Sequence, residues 1–177
     1  ILLCEELLKF NINSIILFGI VEEKDDTGKI SCNSQSIVPK TISKLKSKFK
    51  DKLFIIADVC NCEYTNHGHC GTIIENDVDN DQTVTTLAEQ SLILAKCGAD
   101  ALAPSDMMDG RVKLIREILD ENKFEKTPIF PYSVKYSSAF YGPFRNAAKS
   151  SPTFGDRKTY QMNYKNSEEA INEVKLD

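Results

Sequence analysis

Short, almost wholly apolar runs alternate with longer amphipathic stretches along this chain, and that alternation restricts the fold more than any other feature. Ser14 to Ile20 (SIILFGI), Leu53 to Val59, Asp100 to Pro104 (DALAP) and Pro128 to Tyr136 (PIFPYSVKY) read as four buried strands. Between them, Val38, Ile42, Leu45 and Phe49 recur at helical spacing, with Ser36 as a cap and Pro39 in the first turn. Leu87, Ser91, Leu92 and Ala95 mark the next helix, which Gly98 stops. Asp109 is placed to cap a helix carrying Val112, Ile115 and Leu119. A stripe of Leu2, Leu3, Leu7 and Leu8 predicts a further helix at the start. Another is expected from near Asn166, where Glu169 three residues on completes a capping box. Strands apolar on both faces, each followed by a helix, belong to a parallel sheet covered by helices: an α/β fold.

In such a fold the loops at the carboxyl ends of the strands hold the site, whether the sheet closes into a barrel or stays open. The chemistry-bearing residues fall there: Asp58 to Cys70 after strand two, Ser105 to Asp109 after strand three, and Lys135 at the end of strand four. Ser137 to Gln161 has no clear period and is rich in Ser, Gly, Pro and aromatics, as expected of either a functional lid or a disordered segment. The polar stretch Glu22 to Asn33 reads as a solvated loop without functional weight.

The first of these loops, Asp-Val-Cys-Asn-Cys-Glu-Tyr-Thr-Asn-His-Gly-His-Cys-Gly (58–71), places Cys60, Cys62 and Cys70 within a short reach of one another. Three thiolates with no obvious fourth ligand suit a catalytic zinc site, which keeps one position open, whereas a structural site closes with four. Cys-x-Cys needs a turn to bring both sulfurs to one ion, and Gly68 and Gly71 give the third ligand freedom to fold back. His67 and His69 are either further ligands or hydrogen-bonding members of the loop. Cys4, Cys32 and Cys97 are scattered and read as ordinary thiols, and no secretory layout is visible, so a reducing, cytoplasmic compartment is expected rather than a disulfide framework. A formal net charge of -4 argues against nucleic acid or an anionic membrane as partner, and no apolar stretch approaches the roughly 20 residues of a membrane span.

Period-two alternation puts Ile129, Pro131, Ser133 and Lys135 on one strand face. A lysine there is either reaching solvent past the strand end or is buried and reactive. In the second case burial and nearby positive charge would lower its pKa and free the amine to form a Schiff base with a ketone. Asp58 and Asp106 are candidate acid/base groups, with Ser105 as a hydroxyl partner; each is also a possible cap or loop carboxylate. Arg145 and Arg157 flank the lid, and paired arginines suit bidentate capture of a carboxylate.

The stretches DVCNCEYTNHGHCG (58–71), APSDMMDGR (103–111) and VKYSSAFYGPFRNAAKSSPTFGDRKTYQ (134–161) together resemble the 5-aminolevulinate dehydratase (porphobilinogen synthase) family, in its order and spacing. The resemblance implies a (β/α)8 TIM barrel, of which residues 1–177 would cover about four central βα units. It implies condensation of two 5-aminolevulinate molecules to porphobilinogen with loss of two waters, on the way to haem. By the same resemblance Cys60, Cys62 and Cys70 hold a catalytic Zn2+, with His69 a possible addition, and Lys135 forms a Schiff base with substrate. Asp58, Ser105 and Asp106 join it as catalytic residues, and Arg145, Arg157 and Gln161 bind substrate. Thr159 stands where some relatives carry a cysteine for a second zinc, which argues against such a site here.

The family also implies a homo-octamer, an N-terminal arm and a second Schiff-base lysine on a later strand. None of these lies within the 177 residues. The expectation is therefore a fragment that is inactive alone. A non-catalytic, zinc-binding truncated homologue is the alternative.

Overall fold

The computed structural model describes residues 1–177. In chain order its elements are α1 (Leu2–Lys9), β1 (Ser14–Leu17), α2 (Ile37–Phe49), β2 (Phe54–Val59), β3 (Ile73–Ile74), β4 (Asp77–Val78), α3 (Asn80–Lys96), β5 (Ala101–Pro104), α4 (Arg111–Glu121), α5 (Gly142–Ala147) and α6 (Ser167–Leu176). The expected parallel sheet is present in the order β1-β2-β5, with Ser14 opposite Phe54 and Asp58 opposite Ala103. Strands β1 and β2, and then β2 and β5, are linked by helical crossovers, which makes the architecture α/β. No helix is long and apolar enough to cross a membrane.

The central strand β2 buries Ile55, Ala57 and Val59 completely, and α2 and α3 cover it through Val38, Ile42, Leu45, Leu87 and Leu94. Together with Leu102, Ile115 and Leu119 these belong to one cluster of 21 buried residues. Each fully buried Leu or Ile in it contributes about 1.5–3 kcal/mol relative to exposure. Helix α3 ends as Gly98 predicts. Gly98 takes φ +102°, its N–H bonds the Ala95 carbonyl, and the Ala99 N–H reaches back to Leu94. Asn166 caps α6 by accepting from the Glu169 N–H at 3.2 Å while its own amide donates to the Glu169 carboxylate at 3.1 Å, the reciprocal pairing expected from the sequence.

Several expectations need correction. The first strand is not buried: β1 is an edge strand, its residues alternate between exposed and half-buried, and it stops at Leu17 rather than Ile20. The fourth strand does not form as a continuous element. Residues 128–132 run beside β5 through Leu102 N–H to Pro128 O, Phe130 N–H to Leu102 O and Tyr132 N–H to Pro104 O. Pro131, which faces away from β5, brings no N–H, so the second side of this stretch cannot carry a regular ladder. Asp109 does not cap α4. Gly110, at φ +76°, takes that position, and Asp109 is instead held by Asn80 through its backbone N–H and carbonyl. Ser36 precedes α2, but its hydroxyl makes no capping bond. Leu2 and Leu3 of α1 are exposed; Cys4 is the residue that α1 buries.

The hairpin β3–β4 was not legible in the sequence. Its two turn residues, Glu75 and Asn76, both take positive φ, the conformation that Asn-Gly or Asp-Gly usually signals. Helix α3 also begins earlier than its apolar spacing indicates, because Asp79 caps it by accepting from the Gln82 N–H at 2.8 Å.

Candidate functional site

All the chemistry-bearing loops converge at the carboxyl ends of the parallel strands. Cys60 leaves β2 directly, and the chain then turns: the Tyr64 and Thr65 N–H groups both bond the Asn61 carbonyl, at 2.9 and 3.0 Å. This turn lets Cys60 and Cys62 point to one place, with their sulfurs 3.4 Å apart. Gly68, at φ +70°, reverses the chain, and the Thr65 hydroxyl donates to the His69 carbonyl at 2.9 Å to fix the return. Cys70 thereby joins the pair. The three sulfurs lie within 4.8 Å of one another, all are buried, and none is in a disulfide. Thiolates bound to one tetrahedral ion at about 2.3 Å sit roughly 3.8 Å apart. The donor set and its spacing fit a thiophilic divalent metal.

Charge within the cluster is shared unevenly. Hydrogen bonds from Cys60 and Cys62 pull Cys70 well below the ordinary thiol range despite its burial, so it is the first to ionise. The bonds to Cys62 and Cys70, with burial, push Cys60 well up. Cys62 is also raised: the Cys60 bond lowers it, but the Cys70 bond and burial outweigh that. Cys62 donates to the carboxylate of Glu63 at 3.2 Å. Glu63 is buried, and burial raises its pKa against the pull of that bond. No sequence signal beyond its place beside Cys62 marks it.

His69 does not enter the sulfur cluster. Its Nδ1 pairs with the Tyr160 hydroxyl and its Nε2 with the Phe154 carbonyl, both at 3.0 Å. His67 is likewise engaged, with the Asp26 carbonyl at 3.1 Å and the His69 N–H at 3.1 Å. The hydrogen-bonding reading of both histidines is the one that the geometry supports.

Lys135 is buried at 6% exposure rather than reaching solvent. Its ammonium donates to the Ser105 carbonyl at 2.6 Å and lies 5.5 and 5.4 Å from the ring centres of Tyr132 and Tyr141. Its electrostatic setting differs from the sequence expectation. Burial does act to lower its pKa, but the neighbouring charge is negative: Cys70 foremost, with Cys60, Cys62 and Asp58 where they ionise, raises it overall. Asp58 is raised well above the carboxylate range by burial and by Glu63, against the opposing pull of the Ser105 hydroxyl and Lys135. Asp106 is fully buried and pushed up to about 6 by that burial, against the attraction of Arg111. One Asp106 oxygen accepts from the Met108 N–H at 2.8 Å, and the other faces the Arg111 Nε at 3.5 Å. Arg111, which the sequence reading passed over, is itself buried and also donates to the Met108 and Tyr132 carbonyls.

The lid carries a short helix, α5, where no period was visible, and it folds onto the cysteine loop. Arg157 Nη2 donates to the Gly68 carbonyl at 2.7 Å and the Ser150 carbonyl at 2.5 Å. The Thr153 N–H bonds the His67 carbonyl at 3.0 Å, and the Tyr160 hydroxyl accepts from the Cys70 N–H at 3.4 Å. Arg145 donates to the Gln161 side-chain amide oxygen, Oε1, at 3.3 Å and stacks over Tyr141. Gln161 lines a cavity of about 410 Å³ with Met107, Met108 and Tyr160. Buried polar atoms without a hydrogen-bond partner include Asp58 Oδ1, Arg145 Nε, Arg157 Nε and Gln161 Nε2, along with Asn61 Nδ2 and Oδ1, Ser150 Oγ, Asp106 Oδ2 and Arg111 Nε. Buried donors and acceptors are normally paired, so this grouping is what a site built around a polar ligand leaves open.

Gly68 gives a direct test of the lid contact. A Cβ there would run into the Ser151 carbonyl group, with its carbon at 2.8 Å, and the positive φ penalises any side chain. Gly68→Ala is expected to destabilise the chain by about 1–3 kcal/mol and to speed proteolysis within 137–161, read by limited trypsin digestion. Wild-type digestion kinetics would show that the lid does not rest on this turn.

Comparisons with known proteins agree with this arrangement. The family profile described as delta-aminolevulinic acid dehydratase matches residues 2–177. A delta-aminolevulinic acid dehydratase of Bacillus subtilis is 51% identical over 172 residues, covering 97% of this chain and 53% of that protein. One from Helicobacter pylori is 51% identical over 168 residues, covering 95% of this chain and 52% of that protein. The solved structure of the enzyme from Toxoplasma gondii in complex with its reaction product porphobilinogen superposes with a TM-score of 0.94 at 42% identity. That match covers 98% of this chain and 50% of the other. The chain thus spans about half the length of the relatives it matches, and it belongs to the delta-aminolevulinic acid dehydratase family.

Proposed function

We propose that the whole protein is a porphobilinogen synthase, a hydro-lyase condensing two 5-aminolevulinate molecules with loss of two waters. In this reading residues 1–177 form about half of a (β/α)8 barrel, with the β1-β2-β5 sheet and residues 128–132 as its central staves. The observation that carries the proposal is a buried strand-end lysine and a buried three-thiol cluster on loops that also carry unpartnered buried polar atoms of Asp58, Arg145, Arg157 and Gln161.

Lys135 is the nucleophile. Its nitrogen bonds the ketone carbon of 5-aminolevulinate, and the ketone oxygen leaves as water. Tyr132 and Tyr141 flank the amine and exclude solvent from it. Asp106, pushed up to about 6 by burial, and Asp58, raised well above the carboxylate range, are the proton carriers, and the Ser105 hydroxyl stands beside Asp58. Arg145 and Arg157 offer their free Nε donors to the substrate carboxylate, with the Gln161 amide beside them. Cys60, Cys62 and Cys70 would hold Zn2+ with one position open, which supplies Lewis-acid activation of a substrate oxygen or amine when bound.

The test is chemical trapping in the full-length, zinc-loaded protein. Incubation with 5-aminolevulinate and borohydride is expected to leave a reduced substrate adduct on the peptide containing Lys135, located by mass spectrometry. A folded, metal-replete preparation with no adduct at Lys135 would sink the assignment.

A further inference from the structure

The polar stretch before α2 is not idle. At its centre the Asp25 carboxylate accepts four hydrogen bonds. Oδ1 takes the Thr27 N–H at 2.7 Å, the Thr27 hydroxyl at 2.9 Å and the Lys29 N–H at 3.2 Å, and Oδ2 takes the Ile30 N–H at 2.8 Å. These bonds hold its pKa below the usual carboxylate value although burial opposes them. They wind residues 25–30 into a closed turn of the kind that Asp favours.

That turn is paired to the cysteine loop. The Asp25 N–H donates to the Tyr64 carbonyl at 3.1 Å and its carbonyl accepts from Asn66 at 2.9 Å, a parallel bridge to Thr65. The next residue extends the contact, with the Asp26 carboxylate taking the Asn66 amide at 2.9 Å and its carbonyl meeting the His67 ring. Gly28, at φ +74°, presses its bare Cα face on Asn61, where a Cβ would lie 2.8 Å from Cγ. Residues 61–67, which carry Cys62 and lead toward Cys70, are therefore braced along their outer side by one carboxylate-centred turn.

We propose that Asp25 is a positioning residue for the metal centre: it fixes the conformation of residues 61–67 and so preorganises the three thiolates. It touches no ligand sulfur and acts through the backbone of Tyr64, Thr65 and Asn66. Outer-shell partners of this kind typically carry about 10–100-fold in metal affinity. The proposal deepens the metal reading above and rests on it.

The experiment is Co2+ titration of the full-length protein, read by thiolate-to-cobalt charge-transfer absorption. Wild type should show stoichiometric binding with that band, and its absence would refute the metal reading itself. Asp25→Ala should bind at least about tenfold more weakly. Asp25→Asn keeps the Oδ1 acceptor but loses the one for Ile30, and should fall between them. Leu119→Ala, a core substitution remote from the loop, controls for stability alone and should bind as wild type. If the aspartate variants bind as tightly as wild type, or Leu119→Ala weakens binding as much as they do, Asp25 has no positioning role. Should Asp25→Ala fail to fold, Asp25→Asn decides by the same comparison.

Discussion

Lys135→Ala is expected to lower porphobilinogen formation by the full-length protein about ten-thousand-fold or more, the scale seen when a nucleophile that works as a unit with its neighbours is removed. The reasoning starts from position. The amine is buried between two tyrosine rings, donates only to the Ser105 carbonyl, and stands beside Asp58 and the thiol cluster. No other lysine among residues 1–177 is buried, so none of these can take over the covalent step. Loss of the side chain leaves the Ser105 carbonyl without its partner, at a cost of about 1–3 kcal/mol, which a core of 21 buried residues should tolerate. The variant should remain folded by circular dichroism while forming no borohydride-trapped adduct at this position. Substantial residual turnover, tenfold below wild type or less, would remove Lys135 from the chemistry. Lys135→Arg separates charge from nucleophilicity: a guanidinium keeps the positive charge, stays protonated and forms no Schiff base. It should be as inactive as alanine.

Chelation is the second large effect. Stripping the metal with a strong chelator should abolish turnover and leave the far-UV spectrum nearly unchanged, because the core of 21 buried residues, to which the three cysteines also belong, is made mainly of aliphatic side chains such as Ile42, Ile55, Leu87 and Leu102. The lid should respond. Arg157, Thr153 and Tyr160 all bond backbone or ring atoms between His67 and Cys70. Disorder at Cys70 is therefore passed to residues 150–160, and proteolysis there should accelerate several-fold. Added Zn2+ should restore both activity and protection. Global unfolding on chelation would instead make the metal a structural element, and unchanged turnover would exclude it from catalysis.

Much of this arrangement could be read before the coordinates. Helices α2 and α3 follow their apolar spacing, Gly98 stops α3 through its left-handed conformation, and Asn166 with Glu169 starts α6. The rule that sites gather at the carboxyl ends of parallel strands put Asp58, Cys60, Ser105 and Lys135 together without knowledge of any contact. What escaped depends on partners distant in sequence. Glu63, Arg111 and Tyr160 look like surface residues until the fold buries the first two and half-buries the third beside the site. Asp25 looks like part of a solvated run, since its four donors follow it locally but its purpose lies across the chain at residues 64–66. The charge around Lys135 was misjudged for the same reason: the sign of a local field is set by which loops meet, and spacing along one strand does not reveal it.

The contacts that lash the lid to the cysteine loop also set an order of events in folding. Arg157 reaches Gly68 across 89 residues, and Tyr160 reaches His69 across 91. The β1-β2-β5 pairings and the α3–α4 packing join much shorter stretches of chain. Closing the longest loops costs the most chain entropy and is rewarded only once both ends are in place. The sheet and its helices are thus expected to assemble first and the reactive pocket last. A newly made chain would then keep its three thiols accessible until its scaffold is already standing, the interval in which a metal donor could reach them.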